Sequence, residues 1–268
     1  MAFSRRIGKL TSLAAVLLGI YDTLRKGGHS IKQIIAMGGG GFSMEPDNPL
    51  LDLYILRQAG TGRPKICFVP TASSDAQGYI DRFYDAFQRL ECTPSHLSLV
   101  QPPTVDLEDF ILDKDIIYVG GGNTKSMLAV WKERSVDRYL KTAWENGVIL
   151  SGLSAGSICW FEEGMTDSIP GDLTRLDGLG LLSGSHCPHY DGEADRRPSY
   201  HRLIQSGQIG GGIAADDGAA LHYVDGVFHR AVSSRPEAKA YEVRAVEGHV
   251  VETVIPTVYL GEAGRAMI

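Results

Sequence analysis

The sequence predicts an α/β fold: a mostly parallel central sheet flanked by helices on both faces, with C-terminal β-hairpins. Three observations carry this. From Lys32 onward, short β-branched and aliphatic runs alternate with helix-compatible stretches. Those runs are apolar throughout, as strands covered on both faces must be. Several of them enter glycine-rich turns, at the strand ends where open α/β sheets bind ligands. A chain of 268 residues, 43% hydrophobic, suits one large domain or two small ones. The expected division is an N-terminal amphipathic extension over residues 1–30 and an α/β domain over 31–268.

In the extension, Arg5, Arg6, Lys9, Arg25 and Lys26 stand against Asp22 alone. Ile7, Leu10, Ala14, Leu17, Tyr21 and Leu24 recur at steps of three and four, and Gly27-Gly28 ends the pattern, as in an amphipathic helix. No small-x-small cleavage site follows the apolar stretch, and that stretch is too short to span a bilayer. Docking on the domain, on a partner or on a membrane surface, or a non-native start to the chain, are the readings it leaves, and no catalytic role is expected of it.

The elements then follow in order. Ile34–Met37 is a strand entering Gly38-Gly39-Gly40-Gly41, and Asn48–Ala59 reads as a helix. Lys65–Val69 is a second strand, with a helix over Gln77–Leu90, and His96–Val100 is expected as the third strand. Asp115–Val119 is the fourth, entering Gly120-Gly121-Gly122-Asn123, with helices over Thr124–Arg134 and Val136–Asn146. Val148–Leu153 is the next strand. Beyond Gly164, glycine-rich loops lead to His186-Cys187-Pro188-His189-Tyr190 and a helix over Ser199–Gln205. From Ile213 to Tyr259 apolar and polar residues alternate around Asp225-Gly226 and Glu247-Gly248, which reads as hairpins that extend or cap the sheet.

The densest chemical signal is Gly152-Leu153-Ser154-Ala155-Gly156 at the end of the fifth strand. Gly-x-Ser-x-Gly between a strand and a helix is the grammar of a nucleophile elbow, which presents the serine hydroxyl at the sheet rim. Acyl transfer at Ser154 needs two N–H donors for the oxyanion. Ala155, next to the serine, and Gly122 in the glycine turn are the candidates; glycine kept for close strand contact is the other reading of Gly122. A serine also needs a base. His189 is the best placed histidine, with a buried, backbone-bonded histidine as the plain alternative. Metal binding by His186, Cys187, His189 and His201 lacks a second ligand cluster. Of Glu162, Glu163 and Asp167, which lie between serine and histidine, Asp167 is the expected orienting acid. An α/β-hydrolase would draw its acid and histidine from late strands, whereas these candidates end by His189 with a long tail to follow. Gly38–Gly41 lacks the spacing of a dinucleotide fingerprint or a P-loop.

Met37–Ser43, Pro70-Thr71-Ala72-Ser73, Val119–Thr124, Gly152–Ser157 and Cys187–Tyr190 together resemble the peptidase E family. These are the aspartyl dipeptidase and cyanophycinase group of serine peptidases, similar in fold to class I glutamine amidotransferases. The resemblance runs from about Lys32 to Tyr241. It implies Ser154 as nucleophile, His189 as base, Asp167 as third member, Gly122 and Ala155 as the oxyanion hole, and no metal or organic cofactor. In the aspartyl dipeptidases an arginine shortly after the catalytic histidine receives the substrate's N-terminal aspartate. Arg196 or Arg197 occupies that region here, and Arg196, with Asn123, is the expected substrate-binding residue; an ion pair with Glu193 or Asp195 is its alternative. The run Pro188-His189-Tyr190-Asp191-Gly192-Glu193 departs from the dipeptidase pattern, which bears on aspartate specificity.

The expected function is therefore a cytoplasmic serine peptidase that hydrolyses short peptides through an acyl-enzyme, with an acidic first residue as the expected preference. The alternatives are a non-catalytic small-molecule or partner-binding member of the same fold, and an esterase or acyl transferase. A net charge of −6 and an acidic pI argue against nucleic acid. Four dispersed cysteines suit a reducing compartment. A short peptide substrate is the expected partner, with no stable membrane insertion, and with homo-oligomerisation or partner docking through the N-terminal helix.

Overall fold

The computed structural model describes residues 30–101, 103 and 105–263. The amphipathic extension expected over 1–30 lies, but for Ser30, outside the described residues. The first half alternates as the hydrophobic runs require. β1 (Gln33–Met37) leads to α1 (Gly41–Met44) and α2 (Leu50–Gln58). β2 (Lys65–Val69) leads through a 3-10 turn, Thr71–Ser73, to α3 (Gln77–Phe87) and β3 (Thr93–His96). Next come α4 (Leu107–Leu112), β4 (Ile116–Val119), α5 (Thr124–Glu133), α6 (Val136–Glu145), β5 (Ile149–Leu153) and α7 (Ala155–Ile158).

β3, β2, β4, β5 and β1 pair in parallel in that spatial order. Successive side chains on a strand point to opposite faces. Ile34 and Ala36 of β1, Cys67 and Val69 of β2, and Ile117 and Val119 of β4 enter one core with Met127, Trp131 and Leu140 of α5 and α6. Ile35, Met37, Ile66, Phe68, Ile116 and Tyr118 enter the other, with Leu51, Ile55, Ile80 and Phe83 of α2 and α3. Each such side chain, fully buried, contributes about 1.5–3 kcal/mol. That two-sided burial explains why these strands read as unbroken apolar runs.

The second half holds β6 (Phe161–Thr166), β7 (Thr174–Asp177), β8 (Leu182–Cys187), α8 (Arg196–Gln205), β9 (Gly212–Ala215), β10 (Ala219–Val224) and β11 (Val227–Ser233). β12 (Ala240–Val246), β13 (His249–Ile255), β14 (Thr257–Tyr259) and α9 (Leu260–Ala263) complete it. β10 joins the main sheet antiparallel to β1, and β11 and β14 follow it, giving eight strands. The remaining six strands form a second sheet, β13-β12-β9-β8-β6-β7. Both expected hairpins occur. Asp225-Gly226 and Glu247-Gly248 supply the two consecutive positive φ angles that a two-residue hairpin turn requires. The first hairpin extends the main sheet; the second belongs to the other sheet, which the sequence reading did not anticipate.

Two expectations shift. The third strand lies at Thr93–His96, not His96–Val100, because both the Leu99 and Val100 N–H groups donate to Asp75 Oδ2 at 2.7 Å instead of to a strand. The helix expected from Ser199 begins at Arg196, since Pro198 is tolerated in a first turn, where its missing N–H has no intrahelical partner anyway. Among the described residues no helix is long and apolar enough to cross a membrane.

Candidate active site

Ser154 stands between β5 and α7 at φ 55°, ψ −118°, a strained conformation for a residue with a Cβ. Its flanking glycines are compelled by contact: a Cβ at Gly156 would overlap the Val119 carbonyl of β4, and one at Gly152 would strike Val119 O and Gly156 O. The elbow is thus wedged against the neighbouring strand, which keeps the serine turned outward. From below, Ser157 Oγ lies 2.8 Å from Ser154 O and 3.1 Å from Nε2 of buried His186. His186 Nδ1 donates to Ile213 O at 2.8 Å, and burial holds this imidazole neutral, its pKa lowered to about 4.

β1 brings serine and histidine together. The Ser154 N–H donates to Met37 O at 3.4 Å, and the His189 N–H donates to Gly38 O at 3.2 Å, so consecutive carbonyls at the end of β1 anchor both backbones. His189 lies just beyond β8, also at positive φ (54°). Its Nδ1 donates to Asp217 Oδ1 at 2.6 Å, both side chains being largely buried. That bond fixes the tautomer that leaves Nε2 as acceptor. Nε2 and the Ser154 hydroxyl have no hydrogen-bond partner among the described residues. Free catalytic sites commonly hold these groups loosely until substrate arrives.

Asp217 lies in the link between β9 and β10 and was not singled out in the sequence. Its carboxylate occupies a slot walled by glycine: a Cβ at Gly39 would overlap Oδ1, and one at Gly192 would overlap Oδ2. Burial pushes its neighbour Asp216 up to about 6. The one available signal was Asp216-Asp217-Gly218 at the junction of two strands, after the histidine rather than before it.

Asp167, the expected acid, is elsewhere engaged. Its side chain is 66% exposed and its Oδ2 lies 3.6 Å from Arg196 Nη2. The residues on either side face α5 instead: Ser168 Oγ accepts the Thr124 N–H at 2.8 Å and bonds Thr166 Oγ1 at 2.7 Å. Glu162 Oε2 accepts the Gly184 N–H at 2.8 Å and Glu163 Oε2 the Gly210 N–H at 3.2 Å, so neither meets His189.

The glycine turn does reach the serine. A Cβ at Gly121 would lie 3.2 Å from Ser154 Cβ and 3.6 Å from its Oγ. Gly122 adopts φ 136°, and a Cβ there would overlap Ala72 O, the carbonyl that accepts the Asn123 N–H at 2.8 Å. Neither the Gly122 nor the Ala155 N–H has an acceptor among the described residues. The expected substrate contacts are committed elsewhere. Asn123 Oδ1 caps α5 by accepting the Ser126 N–H at 2.8 Å, while its Nδ2 donates to Ser168 O at 3.2 Å. Arg196 is 2% exposed, its Nε donating to Glu193 Oε2 at 2.5 Å and its Nη1 to Met165 O at 3.3 Å. The four candidate metal ligands disperse: His186 faces Ser157, His189 faces Asp217, His201 Nε2 meets Glu252 Oε2 at 3.0 Å, and the buried Cys187 thiol is pushed up by desolvation.

The sequence model of Peptidase family S51 matches residues 34–231, most of the chain and all of the site just described. The chain belongs to peptidase family S51. It is a serine-type peptidase of the peptidase E kind, as the resemblance implied. An S51 relative in Bacillus subtilis strain 168, Uncharacterized peptidase YgaJ, is 59% identical over 231 residues, 86% of this chain and the whole of that one. Uncharacterized peptidase Lmo0363 of Listeria monocytogenes is 26% identical over 134 residues, 47% of this chain and 65% of its own length. Solved structures share the fold. A peptidase from an acI-B1 Actinobacterium superposes with a TM-score of 0.66 at 16% identity, covering 85% of this chain and 96% of the other. A putative peptidase E protein from Listeria monocytogenes superposes with a TM-score of 0.56 at 17% identity, covering 85% of this chain and all of the other.

Proposed function

We propose that this S51 peptidase hydrolyses short peptides through an acyl-enzyme formed on Ser154, with His189 as base and Asp217, not Asp167, as the orienting acid. The observation that carries the reading is the 2.6 Å bond from His189 Nδ1 to Asp217, on an imidazole whose backbone hangs from the carbonyl next to the one that holds Ser154. Ser154 Oγ attacks the scissile carbonyl while its proton passes to His189 Nε2. The tetrahedral oxyanion is received by the Gly122 and Ala155 N–H groups. As it collapses, the C–N bond breaks and the imidazolium gives its proton to the leaving amine. Water then enters, gives a proton to Nε2 and attacks the ester, and the released Ser154 oxygen recovers that proton. Asp217 keeps its bond to Nδ1 throughout and stabilises the imidazolium that forms.

Arg196, enclosed by Glu193, Met165 O and Asp167, is not free to receive an acidic first residue, so the acidic preference is left without the side chain expected to confer it. We place the enzyme in the cytoplasm on its four free, buried cysteines. The test is a dipeptide panel with the wild type and Ser154→Ala, together with mass spectrometry after diisopropyl fluorophosphate. Turnover and a single phosphoryl adduct on the wild type, both lost in Ser154→Ala, are expected; equal turnover by the two proteins removes the serine mechanism.

A further inference from the structure

We propose that Asp191 and Arg235 are positioning residues that clamp the backbone of Asp217 and thereby aim its carboxylate at His189. The inference rests on the triad proposed above. Asp217 sits in the short link between β9 and β10, outside both strands, where its ladder pairing is a single isolated bridge to Gly39. Beyond that bridge its direction comes from side chains, and the N–H and C=O of Asp217 both have charged partners. The Asp217 N–H donates to Asp191 Oδ1 at 2.7 Å. The Asp217 carbonyl accepts from Arg235 Nη2. The same Nη2 lies 3.4 Å from Asp191 Oδ2, which closes a ring: amide, carboxylate, guanidinium, carbonyl. Fixing the N–H and the C=O on either side of one Cα sets φ and ψ there, and so the direction of the Cβ.

Arg235 is itself steered. Its Nε faces Glu45 Oε1 at 3.6 Å, and Glu45 Oε2 accepts from Ser234 Oγ at 2.5 Å. Four segments thus meet at the acid: the stretch after α1 (Glu45), the loop after the base (Asp191), the β9–β10 link (Asp217) and the end of β11 (Arg235). Asp191 follows His189 by two residues, and between them the Tyr190 N–H donates to Ala215 O at 3.1 Å. The loop that carries the base therefore also carries the group that places the acid.

An Asp191–Arg235 ion pair this exposed, with side chains 41% and 33% accessible, contributes little as a charge pair. Its consequence is geometric, since a misplacement of about 1 Å in such a constellation lowers rate roughly a hundredfold. The titratable and charged groups facing Asp217 are His189, Asp191 and Arg235, with Glu45 behind the arginine.

The experiment compares Asp191→Ala, Asp191→Asn, Arg235→Ala and Arg235→Lys in the full-length protein. The readouts are the rate of inactivation by diisopropyl fluorophosphate, kcat and KM on the best dipeptide of the panel, and the downfield proton resonance of His189 Nδ1–H. The clamp predicts that Asp191→Ala and Arg235→Ala lower kcat and inactivation rate about 10- to 100-fold with KM little changed, and broaden or shift that resonance. Asp191→Asn, whose amide oxygen still accepts the Asp217 N–H, recovers most of the loss even if the alanine variant folds poorly. Wild-type kcat and resonance in both alanine variants overturns the clamp, and so does an Asp191→Asn no better than Asp191→Ala. Failure of the triad itself is seen separately, as a wild type that lacks the resonance or a Ser154→Ala that retains turnover.

Discussion

Asp217 and Asp167 differ in what their carboxylates touch. One is shielded between two glycines and bonded to an imidazole; the other is mostly in water beside a buried arginine. Asp217→Asn keeps the shape but presents an amide whose orientation no longer enforces the productive tautomer, so kcat is expected to fall by roughly ten-thousand-fold. Asp167→Asn removes a carboxylate that is mostly in water, 3.6 Å from a guanidinium that Glu193 also holds, and should leave kcat within about threefold of the wild type. Steady-state kinetics of the two variants on one peptide checks both; the reverse ranking would restore Asp167 as the third member. The roles proposed for Ser154, Gly122, Ala155 and His189 could be suggested from sequence because each is marked by its own neighbours: an elbow, a glycine turn, a stiff Pro-His loop. Asp217 was not legible, because the feature that distinguishes it is the absence of a Cβ at Gly39 and Gly192, far away in the chain.

The strand–turn–helix units show the same division between local and distant causes. β1, β2, β4 and β5 were readable because their burial on both faces is written into four or five consecutive residues. The third strand was misplaced by three residues because a side chain on another loop, Asp75, takes two of its N–H groups. α4 went unseen although Asp106 caps it by accepting the Asp109 N–H at 3.0 Å, a signature of an acidic cap ahead of an apolar turn that the sequence does carry. Asn123 illustrates a residue read for chemistry that serves an element. As the cap of α5, its replacement by alanine is expected to lower stability by about 1 kcal/mol in urea denaturation, with KM unchanged. A raised KM at unaltered stability would return it to substrate binding.

Across the protein, buried groups shifted in opposite directions make stability depend on pH between about 4 and 7. Burial raises Asp52, beneath the Gly38–Gly41 loop and 3.4 Å from the Tyr118 hydroxyl, to about 7. Its folded form therefore holds a proton that the unfolded chain releases near pH 3.8; the contribution is complete below that pH and is lost as pH rises through about 7. Burial lowers His186 to about 4 and His222 to about 3, so their contribution is complete above pH 6.5 and is lost as pH falls through those values. Between about pH 4 and 6.5 the two histidines outweigh the one carboxyl, so thermal melts should rise with pH over that range and level off above about 7. Asp52→Asn removes the opposing contribution and should steepen that rise, by up to about 4 kcal/mol between pH 4 and 7; an unchanged profile would show that Asp52 is ionised in the fold already.

The residues from Lys32 to Ser157 announced a parallel sheet with a serine turned outward at its rim, because apolar runs, glycine turns and a Gly-x-Ser-x-Gly elbow are instructions that act over a few adjacent residues. The second sheet, the partner of the imidazole and the enclosure of Arg196 depended on the folded chain. Each arises where segments distant in sequence converge. His189 finds its carboxylate 28 residues onward across a link between two strands, and no local pattern encodes a distance of 2.6 Å between them.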